Sequence, residues 1–203
     1  MRCLRPFAVS ATIILGLSLS GCATPKAELT SVWKDQAYQG GYFKKVLVIS
    51  AARKEAIRNF SEDEFVRQLK GRGTDAIASY TMIPFEKMMD KAVVAEKIKG
   101  LGIGGIFVTR VLYTLTAAAP LPKQPIWHEF YSDSLGYEQG VSGPRISAGK
   151  TVARIEMNLY ETRSEKPVWS ASSDVPVKDE PKEEIAAFIT VVLQRLSQEK
   201  LIR

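Results

Sequence analysis

The reactive side chains in this 203-residue sequence are few: one histidine, two cysteines and scattered hydroxyls and carboxylates. His128 is the sole imidazole, so any serine nucleophile would have to use it as base. Ser142 comes nearest to a nucleophile motif, in Gly140-Val141-Ser142-Gly143-Pro144. A nucleophile elbow turns sharply on Gly-X-Ser-X-Gly, and Pro144 occupies the place of the second glycine. A zinc centre wants three or four Cys, His or carboxylate ligands, and this chain is too poor in the first two to build a usual one. Asp63 with Glu64 and Glu183 with Glu184 are adjacent pairs on expected helices. Neighbours on a helix point in different directions, which suits a solvated surface better than paired acid/base chemistry. Gly71-Arg72-Gly73 and Gly100-Leu101-Gly102-Ile103-Gly104-Gly105 follow helices and precede strands. A dinucleotide fingerprint needs the opposite order, so these read as helix stops. The expectation is a protein that is not an enzyme and holds no cofactor and no metal.

Cys22 is different. Arg2 and Arg5 precede an apolar run from Phe7 to Leu19, which is too short to span a bilayer and has the length of a signal sequence core. The next positions, Leu19-Ser20-Gly21-Cys22, resemble the lipobox of bacterial lipoproteins. Small residues at Ser20 and Gly21 let the signal peptidase seat the scissile bond, with Leu19 completing its recognition. The Cys22 thiol would become a diacylglycerol thioether, and the new amino terminus would carry a further fatty acyl chain such as palmitate. Each buried methylene contributes about 0.8 kcal/mol, and stable anchoring takes more than one chain. Three chains would make release negligible. Lipoproteins of this kind that stay in the inner membrane usually carry Asp after the cysteine; Ala23 stands here, which implies the outer membrane, facing the periplasm.

Removal of residues 1–21 leaves about 180 residues, enough for one domain with a real core. The basic surplus is spread out (Lys44-Lys45, Arg53-Lys54, Lys70, Arg72). An exported protein meets no nucleic acid, so the surplus implies weak attraction to anionic headgroups or glycans. Cys3 leaves with the signal and Cys22 is acylated, so no disulfide is available and packing must hold the domain.

Positioning elements follow from periodicity. Residues 22–31 form the lipidated cysteine and a short polar tether that reaches roughly 30 Å at full extension. A single domain is expected over 32–203, opening with an edge strand at Val32-Trp33. Val46-Leu47-Val48-Ile49 lacks alternation, as in a strand buried on both faces. Residues 53–71 read as helix with Phe65 and Leu69 on one face and Phe60 out of phase; Ser61 with Glu64 has the form of a capping box, which would break the helix there. A strand over 74–81, a helix over 84–99 and a strand over 103–115 complete a β-α-β-α-β order with parallel pairing. The long loop 117–149 follows, carrying Trp127, His128, Phe130, Tyr131 and Tyr137 as a candidate binding surface. Residues 151–162 alternate, with Ala153, Ile155, Met157 and Leu159 facing one way and Arg154, Glu156, Asn158 and Tyr160 forming a wetter face. Residues 167–176 return as the antiparallel partner, with Trp169 and Tyr160 as packing residues. Pro181 opens a last helix whose stripe is Ile185, Phe188, Ile189, Val192 and Leu196. The fold class is α/β: a mixed sheet, parallel first and antiparallel after, with helices on both faces. Ligands of such sheets bind beyond the carboxyl ends of the parallel strands. Here that places them near residues 50–53 and 110–114, with Arg53 as a candidate anion contact.

Ser31-Val32-Trp33-Lys34-Asp35, Phe43-Lys44-Lys45-Val46-Leu47-Val48-Ile49, Phe60-Ser61-Glu62-Asp63-Glu64-Phe65 and Asn158-Leu159-Tyr160 with Val168-Trp169-Ser170-Ala171 span nearly the whole mature chain. In these stretches the sequence resembles a family of Gram-negative outer-membrane lipoproteins that carry a domain of unknown function. That family has a Gly/Tyr-rich insertion before the late hairpin, where this chain has its Pro/aromatic loop. More distantly, the order is similar to the amino-terminal domain of TolB and to the lipoproteins of curli secretion and penicillin-binding-protein activation. The resemblance implies a mixed sheet and a life as an interaction module with envelope protein partners, without catalytic residues. A small-ligand or glycan-binding lipoprotein is the alternative.

Overall fold

The computed structural model describes residues 27–116 and 151–203. Six strands form one sheet in the order β1-β6-β5-β4-β2-β3. They are β1 (Leu29–Lys34), β2 (Lys45–Ala51), β3 (Asp75–Ala78), β4 (Gly105–Thr116), β5 (Thr151–Glu161) and β6 (Pro167–Pro176). Among the described residues there are three α-helices: α1 (Glu55–Gly71), α2 (Lys91–Ile98) and α3 (Lys182–Gln198). β2 pairs in parallel with β3 and β4, and every other pairing is antiparallel. This is the expected α/β class, with the mixed sheet and helices on both faces.

The unalternating run in β2 explains the layering. Val46 and Val48 point into one core with Phe65 and Leu69 of α1 and Phe188, Ile189, Val192 and Leu196 of α3. Leu47 and Ile49 point the other way, into a smaller core with Val94 and Ile98 of α2. All four β2 side chains are fully buried, which is what a central strand between two helical layers requires. Trp169 lies fully buried in the larger core and Tyr160 is buried in the smaller one, as packing residues. Close packing also fixes Gly105 at the start of β4: a Cβ there would stand 2.8 Å from a Phe43 ring carbon.

Several boundaries differ from expectation. α1 runs unbroken through Ser61, whose hydroxyl meets Ser50 Oγ at 3.1 Å instead of capping a helix, while Glu64 pairs with Arg67. The second helix is shorter. Pro84 leads only into a 3-10 turn at 85–87, and α2 starts afresh where Asp90 accepts bonds from the Ala92 and Val93 backbone N–H groups. β3 stops at Ala78 because a 3-10 turn follows at 79–81.

Candidate functional site

The carboxyl ends of β2 and β3 are filled from within. Arg58 and Glu62 stand one turn apart on α1, and both are essentially without solvent exposure. Arg58 Nε donates to Glu62 Oε1 at 3.0 Å, while its terminal nitrogen donates to Ser79 Oγ at 2.9 Å and to the Ile83 carbonyl at 3.0 Å. Glu62 also accepts from the Ser50 backbone N–H at 3.0 Å, Ser79 Oγ at 2.8 Å and the Tyr80 backbone N–H at 2.8 Å. Every partner comes from the ends of β2 and β3 or the turns after them. The cluster ties α1 to two strand ends and leaves its carboxylate saturated with donors. It occupies the crevice where a ligand was expected.

Arg53 lies just outside, exposed in the turn between β2 and α1. No described carboxylate pairs with it. The second expected ligand segment, 110–114, begins with Arg110, whose Nε donates to Glu156 Oε2 at 2.6 Å. That pair belongs to a polar stripe on the α2 side of the sheet. In register, Arg110 faces Glu156, Arg154 faces Asp174 and Asn158 faces Ser170 across β4, β5 and β6. Arg154 holds Asp174 through two bonds of 2.7 Å each. On the outer side, Thr30 and Ser31 both reach Ser172 Oγ at 2.9 Å; the register shift in β1 turns two consecutive residues toward one partner. The face expected to be wet is therefore polar but buried: Arg154, Glu156, Asn158 and Tyr160 are each at most 8% exposed. Cross-strand pairing of opposite charges explains how the sheet tolerates these groups away from water.

Titratable helix residues also divide. Asp63 is exposed and accepts from the Tyr80 hydroxyl at 2.8 Å, which raises the Tyr80 phenol pKa. Glu183 is solvated, but its neighbour Glu184 is only 4% exposed and pairs with Lys178. The Lys178 hydrogen bond holds the Glu184 carboxyl below the usual carboxylate range. The expectation of two solvated pairs thus fails at Glu184, which packs at the first turn of α3. Arg58, Glu62 and Asp174 were not marked out by motif. A signal existed for the first two: Arg58, Glu62, Phe65 and Leu69 share one helical stripe, so the charges are in phase with the core.

A groove of about 290 Å³ lies between α2 and the β4–β5 pair, lined by Val94, Ile98, Ile106 and Tyr160, with Lys91 and Glu165 paired beside it. It sits at the amino end of β4, opposite the end where α/β sheets usually bind ligands. No group of three or more His, Cys, Asp or Glu able to hold a metal occurs among the described residues. Leu19, Ser20, Gly21, Cys22, Trp127, His128, Phe130, Tyr131, Tyr137 and Ser142 lie outside the described residues.

No family model and no curated protein sequence matches the chain. Among solved structures it is similar to the PelC dodecamer from Paraburkholderia phytofirmans: 14% identity, 85% of this chain and 99% of that one covered, TM-score 0.45. It is also similar to lipoprotein GNA1162 from Neisseria meningitidis: 11% identity, 76% and 98% covered, TM-score 0.37. At these values the likenesses carry no conclusion about activity, ligand or assembly.

Proposed function

We propose that this chain is a lipid-anchored, non-enzymatic interaction module of the cell envelope, held at the outer membrane through Cys22 and facing the periplasm. The observation that carries this reading is the order Leu19-Ser20-Gly21-Cys22 only seven positions before β1, which ties the domain closely to its anchor. In its support, the buried charges take part in intramolecular pairs that hold strands and helices together: Arg58–Glu62, Arg154–Asp174 and Lys178–Glu184. The aromatic segment 117–149 is the proposed contact for envelope protein partners. Crosslinking in intact cells is expected to recover partners that disappear when residues 120–145 are deleted; an unchanged set of partners would remove the loop from the reading.

The groove beside α2 favours a second reading, a small-ligand or glycan-binding lipoprotein. Tyr160 lines that groove, so a saturable change in tyrosine or tryptophan fluorescence with cell-wall fragments, abolished by Ile106→Trp, is its expected signature. A flat response across the panel would dispose of it.

A further inference from the structure

The two ends of the sheet differ. β1 is antiparallel to β6, and β6 in turn to β5. Leu29 is therefore level with Ser173, Ile155 and Val111, toward the carboxyl end of β4, and Lys34 is level with Trp169, Leu159 and Phe107 near its beginning. The chain joins the domain at the first end and crosses the sheet before anything else is built. Six strand residues at about 3.3 Å each separate the two levels by roughly 17–20 Å.

Basic residues converge on the far end. Lys44 precedes β2, Lys70 and Arg72 close α1, and Lys200 and Arg203 follow α3. Hydrogen bonds stitch these segments together: Asp75 N–H to the Lys44 carbonyl at 3.0 Å, Phe43 N–H to the Leu201 carbonyl at 2.8 Å, and Arg203 N–H to Thr74 Oγ1 at 3.2 Å. Arg203 lies 5.0 Å from the centre of the Tyr42 ring and donates to the Tyr42 hydroxyl at 2.9 Å. Among the described residues, none of the five cations forms an ion pair with a carboxylate. Of the acids at this end, Asp75 pairs with Lys45 and Glu199 with Arg195, while Asp35 accepts from the Ala37 N–H and Glu161 from the Ser164 hydroxyl.

We infer that this end of the domain, built on Lys44, Arg72, Arg203 and Tyr42, binds a carboxylate-bearing cell-wall glycan on the side away from the anchoring bilayer. The orientation rests on the lipid anchor proposed above; the patch does not. The surface chemistry favours a hydrated polymer over a protein. Protein interfaces have apolar centres, whereas Tyr42 is the exposed large apolar side chain that touches one of these cations; Trp33 and Leu101 reach this end on the α2 side of the sheet, and Val111 and Val177 lie toward the other end. A guanidinium held against an aromatic ring offers a carboxylate two donors and a sugar a flat edge.

The test is co-sedimentation of the full-length acylated protein, in detergent micelles, with protease-stripped peptidoglycan sacculi. The unaltered protein is expected to pellet at low ionic strength and to be released as salt shortens the screening length. The combined variant Lys44→Glu, Arg72→Glu, Arg203→Glu should bind at least tenfold more weakly, and the milder Gln versions of all three should fall between. Lys182→Glu, at the other end of the sheet, should bind as the unaltered protein does. Sacculi whose carboxylates are amidated should pellet none of them. Binding by either triple variant equal to that of the unaltered protein, equal binding to amidated sacculi, or binding only to sacculi that still carry protein would each overturn the inference. Because micelles supply the lipid phase, failure here is separate from failure of the anchor, which radiolabelled palmitate on Cys22 reads by itself.

Discussion

Arg58 and Glu62 neutralise each other at 3.0 Å inside α1, and together they take up donors and acceptors from the ends of β2 and β3. A carboxylate without solvent exposure that accepts from two backbone N–H groups, a serine and a guanidinium is spent on the fold and not open to a ligand. The pair therefore works as a rivet between helix and sheet. Its removal would leave the Ser50 and Tyr80 N–H groups buried without an acceptor.

Glu62→Ala is expected to cost about 3–5 kcal/mol, the range for breaking a buried ion pair from one side. Glu62→Gln should cost less, because its amide oxygen still accepts from Ser50 and Ser79. Urea melts of the two variants check this, and equal losses would show that the backbone donors are not what Glu62 serves.

Trp169 is fully buried among Leu159, Met157 and the α3 stripe. Trp169→Ala should lose about 3–5 kcal/mol by the same measurement, through lost transfer energy and the cavity left behind. Trp169→Phe should lose less, since the ring and most of the volume stay.

Arg154 and Asp174 form a two-bond pair between β5 and β6 with little exposure. Either truncation alone is expected to cost several kcal/mol, and the double variant clearly less than the sum of the two. A strictly additive cycle by thermal denaturation would mean that each side chain acts alone.

Acid should loosen α3. Lys178 lowers the Glu184 pKa in the folded state relative to the unfolded chain. The pair's contribution is therefore fully present above the ordinary carboxylate pKa and is lost as pH falls through the depressed folded value. Lys178→Met should flatten the acid limb by lowering stability at neutral pH while changing stability below the depressed Glu184 pKa little. The check is a set of urea midpoints between neutral and acid pH.

Cys22→Ala should abolish incorporation of labelled palmitate and release the domain from membrane fractions, with its circular dichroism unchanged. Retention of the unlabelled variant at the membrane would remove the anchor from the proposed function.

Sequence periodicity was most informative where burial is one-sided or complete. Val46 to Ile49 announced a central strand, and the α3 stripe from Ile185 to Leu196 announced the helix that covers it. Trp169 was legible as a packing residue for the same reason. Charged residues inside the fold were harder to read, because a composition rule places Arg, Glu and Asp in water. Arg58 and Glu62 carried a phase signal, but Glu184 and the β5 stripe reveal their burial only through partners distant in sequence. Asp174 lies twenty positions from Arg154 and across a turn, so no local pattern joins them. The candidate site shared that fate. The crevice expected from strand direction is filled at the ends of β2 and β3 by Arg58 and Glu62, helix residues that propensity alone would send outward.

β1 has one further consequence, for the timing of assembly. Its first residues wait for Ser172, 142 positions downstream of Thr30. Under the export and anchoring proposed above, the strand nearest the membrane would emerge first and find its mate last. Acylation of the leading end would then precede sheet closure, and Leu29–Lys34 would be an open strand at a lipid surface until the final hairpin had crossed.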